Sequence, residues 1–121
     1  MSKAALSVFV FGIYVIVLGV VLMVIPNVLL SLFGIPATTE VWIRVVGMLV
    51  FLIGYYYIQA SRNEKKMISF YRWTVHVRSS VIVFFIIFVA FGFVTPLLIL
   101  FGVVDLLAAI WTWKSLPPQV I

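Results

Sequence analysis

Leu97-Leu98-Ile99-Leu100-Phe101-Gly102-Val103-Val104-Asp105-Leu106-Leu107-Ala108-Ala109-Ile110-Trp111 is an apolar run with one carboxylate near its middle. The chain has only two other acids, Glu40 and Glu64, and both fall in segments expected to meet water. A carboxylate at the middle of such a run is kept only if a cation, hydrogen-bond donors or neutralisation satisfy it inside the fold. Working outward from Asp105, the sequence predicts an all-α integral membrane four-helix bundle closed around that residue.

Composition supports lipid as the solvent. The 121 residues are 66% hydrophobic and 9% charged, against about 25% charged in soluble proteins. A soluble domain this short could not hide so much apolar surface. There is no cysteine, so no disulfide, thiol nucleophile or thiolate metal site. One histidine excludes a multi-histidine cluster, and no metal or cofactor is expected. The net charge of +5 does not point to nucleic acid, because the basic residues gather at one membrane surface.

The chain reads as a single domain, residues 1–121, with spans at about 4–25, 41–60, 73–94 and 96–113. The first span covers about 33 Å at ~1.5 Å per residue, enough to cross the hydrocarbon core. A cleaved signal peptide would need a shorter apolar region and a small-residue cleavage site, and Ile25-Pro26-Asn27-Val28-Leu29-Leu30 offers none. Gly12 and Gly19 are seven apart, as are Gly47 and Gly54 in the second span. Such spacing lets a neighbouring helix approach closely, although membrane helices also simply tolerate glycine.

Residues 28–33 are too short to cross, so they lie in the interface or pack on the bundle. Thr38 or Thr39 is a candidate N-cap for the second span, and Glu40 suits its positive end. Trp42 and Tyr55-Tyr56-Tyr57 mark the two interfaces, and Arg44 lies about one turn inside. Residues 61–72 form a hydrophilic connection with Arg62, Lys65, Lys66 and Arg72. It reads as a solvated cytoplasmic loop, with an anionic-lipid or partner contact as the alternative. Thr95 is expected to cap the fourth span and Pro96 to open it. Trp111, Trp113 and Lys114 mark the exit, and Pro117-Pro118 ends regular structure in a short tail. Lys3, Arg62, Lys65, Lys66, Arg72 and Lys114 all fall at the termini and the central connection. An up-down topology with both termini cytoplasmic follows.

Gly102, Asp105, Ala109 and Thr112 line one stripe of the fourth span by steps of three and four. Small residues beside the acid call for a packed neighbour there, so Asp105 should face protein. Two cations are in reach. Arg44 is offset by ~8 Å along the membrane normal, which a long side chain spans. Arg78 approaches from the cytoplasmic side, and His76, Ser79 and Ser80 would add polar groups beside it. Arg78 is the favoured partner, which leaves Arg44 to pair with Glu40 or to snorkel outward. The aromatic residues read as interfacial anchors.

Four spans, cytoplasmic termini and a polar connection between spans two and three resemble the DoxX-like group of small bacterial membrane proteins. Trp42-Ile43-Arg44-Val45-Val46-Gly47 and Leu100-Phe101-Gly102-Val103-Val104-Asp105 carry the local likeness. The resemblance implies a multi-pass protein of the bacterial cytoplasmic membrane and transfers no activity or site residue. Small multidrug exporters are of similar size but carry their essential glutamate in the first helix, where this chain has no acid.

Three functions compete. The expected one is a non-catalytic subunit or scaffold, with the lipid bilayer, other membrane subunits or copies of itself as partners and Asp105 as a structural tie. The runner-up is a small proton- or ion-coupled transporter in which Asp105 titrates. The third is an enzyme, or a quinone- or lipid-binding protein, using a pocket around Asp105, His76 and Tyr14.

Overall fold

The computed structural model describes residues 1–117, so the tail expected beyond Pro117 lies outside the described residues. Among the described residues five α-helices form: α1 (Lys3–Val24), α2 (Pro26–Leu32), α3 (Trp42–Ser61), α4 (Glu64–Ala90) and α5 (Ile99–Ser115). A single 3-10 turn, Pro96–Leu98, leads into α5, and no strand occurs among the described residues. α1, α3, α4 and the 3-10 turn with α5 are each long and apolar enough to cross a membrane. Their outward faces carry exposed Val17, Leu52, Phe84 and Leu107. The protein is therefore an all-helical, multi-pass membrane protein.

α1 begins at Ser2, whose extended backbone lets its Oγ accept the Ala5 N–H at 3.1 Å. The same hydroxyl donates to Glu64 at the start of α4, joining two helix ends. α1 stops where Pro26 cannot continue its hydrogen bonding, and that proline takes the first position of α2 instead. α2 packs on the bundle, with Leu30 buried against Leu22 and Ile43.

α1 and α3 make the closest packing in the molecule. Gly12 meets Gly54 and Tyr57, and Gly19 meets Gly47 and Phe51. This pairing, 12 with 54 and 19 with 47, sets the two helices antiparallel. A Cβ on Gly19 would stand 2.6 Å from the Phe51 backbone nitrogen. On the other side, α4 packs on α5, where a Cβ on Gly102 would stand 2.9 Å from the Ile82 Cα. α1 against α5 joins the two pairs, while α3 and α4 meet little beyond the turn that connects them. A cleft is left between those two helices.

Several sequence expectations need correction. The hydrophilic connection shrinks to Arg62 and Asn63, because α4 is helical from Glu64. Met67, Ile68, Phe70 and Tyr71 pack against the core formed by Val8, Phe11 and Tyr57. Apolar side chains at helical spacing thus bind a basic segment to the bundle. At the other end, the third span stops at Ala90 rather than 94. Gly92 takes the left-handed conformation at φ 75°. The Phe93 N–H donates to the Phe88 carbonyl at 2.9 Å, and the rings of those two residues lie 6.4 Å apart. This glycine-terminated motif satisfies orphan carbonyls and reverses the chain.

The expected threonine caps are also absent. α3 begins after Val41 with no side-chain cap, and the Thr38 Oγ1 accepts the Glu40 N–H instead. Thr95 precedes the 3-10 turn, but its hydroxyl donates to the Phe33 carbonyl at 2.6 Å. It ties the two loops at that end together rather than capping a helix.

Candidate functional site: a buried guanidinium beside an apolar cleft

Arg78 is 2% exposed, and its surroundings are built by four helices, α1, α3, α4 and α5. Helical side chains lean toward the N-terminus of their own helix. Arg78 accordingly folds back one turn onto Thr74. Its Nε donates to the Thr74 carbonyl at 3.2 Å and its Nη2 to the Thr74 Oγ1 at 2.9 Å. Nη2 also donates to Thr112 Oγ1 on α5 at 2.9 Å. Thr112 and Ser7 of α1 share a 2.7 Å hydrogen bond, and the Ser7 hydroxyl donates to the Ala4 carbonyl at 2.7 Å.

A hydroxyl has one proton to give. Ser7 gives its proton to Ala4, so Thr112 must donate to Ser7. A directed chain results: Arg78 to Thr112 to Ser7 to the Ala4 carbonyl. It links α4, α5 and α1 through groups that polarise one another. The guanidinium carbon also lies 4.8 Å from the Phe11 ring centre and 5.8 Å from that of Tyr57. Both are within range of a cation–π contact. Nη1 alone is buried without a hydrogen-bond partner.

Asp105 lies about two turns from Thr112 on the same stripe of α5. It is half-buried. With Arg78, Tyr14 and Tyr57 it lines a cleft of about 610 Å³. The expected ion pair is not formed, since Nε and Nη2 are bonded elsewhere and Nη1 has no partner. The reason is directional. α4 and α5 run antiparallel, so a side chain leaning back along α4 meets the later residue Thr112 rather than Asp105. The remaining wall is apolar, including Leu18, Val50, Phe85 and Phe88. Phe33 and Phe101, with ring centres 4.2 Å apart, also line it.

His76 does not join this group. It is exposed. It lines a separate groove with Arg72, Trp73, Ser79 and Trp113. Residues two apart on a helix do not share a face, and His76 stands two before Arg78. Ser79 belongs to that groove as well, and the Ser80 hydroxyl returns to the Val77 carbonyl. Arg44 is elsewhere again. It donates to the Met23 and Val24 carbonyls at the end of α1, neither pairing with Glu40 nor approaching Asp105. A cation there satisfies orphan carbonyls at the negative end of a helix dipole.

Of the stripe, Gly102, Ala109 and Thr112 are buried at the helix contacts. Gly12, Gly19, Gly47 and Gly54 lie at the α1–α3 crossing, away from Asp105. Thr74 and Ser7 join the site beyond the residues that the sequence singles out. Their signals were Thr74 four residues before Arg78, and Ser7 as an isolated hydroxyl in an apolar span. Among the described residues, no group of three or more His, Cys, Asp or Glu side chains could hold a metal ion. The arrangement can bind, through one fixed cation, one carboxylate and two phenols that line an apolar cleft. Comparison of the chain with protein-family models, curated proteins and solved structures finds no match.

Proposed function

We propose that the protein is a non-catalytic subunit or scaffold of the bacterial cytoplasmic membrane, packing within a larger or homo-oligomeric membrane complex. The observation that carries this reading is the directed chain from Arg78 through Thr112 and Ser7 to Ala4. Polar groups of three helices satisfy one another there, and fixing register is the best-attested use of buried charge. The glycine contacts between α1 and α3 add a rigid second pair. The spans form an up-down bundle with both termini and the Arg62–Asn63 turn on the cytoplasmic side. Lys3, Arg62, Lys65, Lys66, Arg72 and Lys114 support that orientation, against no Lys or Arg in residues 25–41 or 91–98. Kinship with the DoxX-like group belongs to this reading, supported by the four spans.

Native mass spectrometry and blue-native gels of membranes solubilised in mild detergent test it. The expected result is a discrete species larger than one chain, and a lone monomer overturns it. A second reading, a proton- or ion-coupled transporter, is favoured by Asp105 facing the cleft with no bonded cation. Asp105→Asn in proteoliposomes should then abolish ion-driven flux, and unchanged flux removes this reading.

A further inference from the structure

We propose that the cleft between α3 and α4 is a binding site for a neutral, hydroxyl-bearing single-chain lipid, such as a monoacylglycerol or a long-chain alcohol. Its volume of about 610 Å³ falls within the ~300–1,000 Å³ range of sites that take one small molecule. Most of the wall is hydrocarbon or aromatic, and its few polar side chains are Arg78, Asp105, Tyr14 and Tyr57. α3 and α4 flank the cleft yet scarcely touch one another, so a chain can enter sideways from the bilayer.

Charge selects the head group. Arg78 is 2% exposed and keeps one buried nitrogen, Nη1, without a partner. Arg78 lines the cleft wall, and its positive charge in an apolar setting favours an acceptor oxygen nearby. Asp105 on the same wall calls for a donor. The two side chains are of opposite sign, so a charged head would satisfy one and repel the other. A hydroxyl or glycerol ester offers acceptor and donor together at no net charge. Depth adds a second selection. The polar end of the cleft sits at the middle of α5, where an ionic phospholipid head would lose its hydration and a neutral head loses little.

Photolabelling of the full chain in nanodiscs tests this site. The probe is a diazirine-bearing monoacylglycerol, competed by 1-oleoylglycerol, oleate or oleylamine. Cross-links should map to the cleft wall near Tyr14, Val50 and Tyr57. Competition by 1-oleoylglycerol should exceed that of either charged lipid by roughly tenfold, the worth of one hydrogen bond to a charged group. Val50→Trp should abolish labelling by filling the cleft. Asp105→Asn keeps the side-chain shape and removes its charge, so it should shift the preference toward oleate. Equal competition by all three lipids, or labelling unchanged by Val50→Trp, overturns the site. An unshifted preference in a folded Asp105→Asn protein overturns the role of that carboxylate. None of these results depends on oligomeric state, so the scaffold reading stands or falls separately.

Discussion

Arg78 carries a full charge in a helix expected to lie in lipid, and what satisfies it is a pair of threonines rather than an acid. The two ends of the directed chain should therefore differ in energy. Thr112→Val strips an acceptor from a buried guanidinium, which costs about 1–3 kcal/mol. Ser7→Ala removes only a neutral hydroxyl pair, for which membrane proteins average about 0.6 kcal/mol. Unfolding in mixed micelles titrated with SDS should rank Thr112→Val as clearly the worse. Equal costs would mean that the guanidinium does not depend on Thr112. The sequence pointed to Asp105, Arg78 and the stripe containing Thr112, since intramembrane polar residues are few and conspicuous. It could not show which of them touch. That is decided by the backward lean of a helical side chain and the antiparallel offset of α4 and α5, which bring Arg78 to Thr112 and leave Asp105 facing the cleft.

At the level of helices, the two glycine contacts between α1 and α3 are not equivalent. A methyl on Gly19 would meet the Phe51 backbone at 2.6 and 2.8 Å, and main chain cannot step aside. Around Gly12 the nearest atoms are the Ile58 Cδ1 and Tyr57 Cβ at 3.0 Å, and the isoleucine end can rotate. Gly19→Ala should cost about 1–3 kcal/mol through forced separation of the helices. At Gly12 the gain in helix propensity, about 0.5–1 kcal/mol, should offset much of the crowding. Thermal unfolding of the two variants in one detergent checks the ranking. The seven-residue spacing was legible in the sequence, but its meaning depended on which backbone lay opposite.

The start of α4 misled for a different reason. Arg62, Lys65 and Lys66 gave the segment the composition of a loop, while Met67, Ile68 and Tyr71 already carried the helical spacing that docks it. Ser69 is exposed within this turn of helix. Ser69→Pro should therefore cost about 3 kcal/mol, whereas Ser69→Ala should be close to neutral. A loop would accept both substitutions.

Across the molecule, hydropathy was readable because lipid demands long apolar helices with internally satisfied backbones. Helix partners were harder to read. The buried residues of α4 are Tyr71, Thr74 and Arg78, so its inward face is marked by polar and aromatic side chains rather than by apolar ones. Outward and cleft-facing positions farther along are both apolar, as Ile86 and Phe88 show. No hydrophobic periodicity could reveal that α3 and α4 stand apart. Orientation, by contrast, rests on charge alone and can be tested without disturbing a native thiol, since the chain has no cysteine. Lys66 and Thr39 are both exposed and lie beyond opposite ends of α3. In the proposed topology Lys66→Cys faces the cytoplasm and Thr39→Cys the opposite side. A membrane-impermeant maleimide should modify Thr39→Cys in intact spheroplasts and Lys66→Cys only in inverted vesicles. Modification of both from one side would mean that α3 does not cross, and the reverse pattern would invert the whole bundle. The six cations at one end make the inverted bundle costly, because each would have to be carried across the bilayer during insertion.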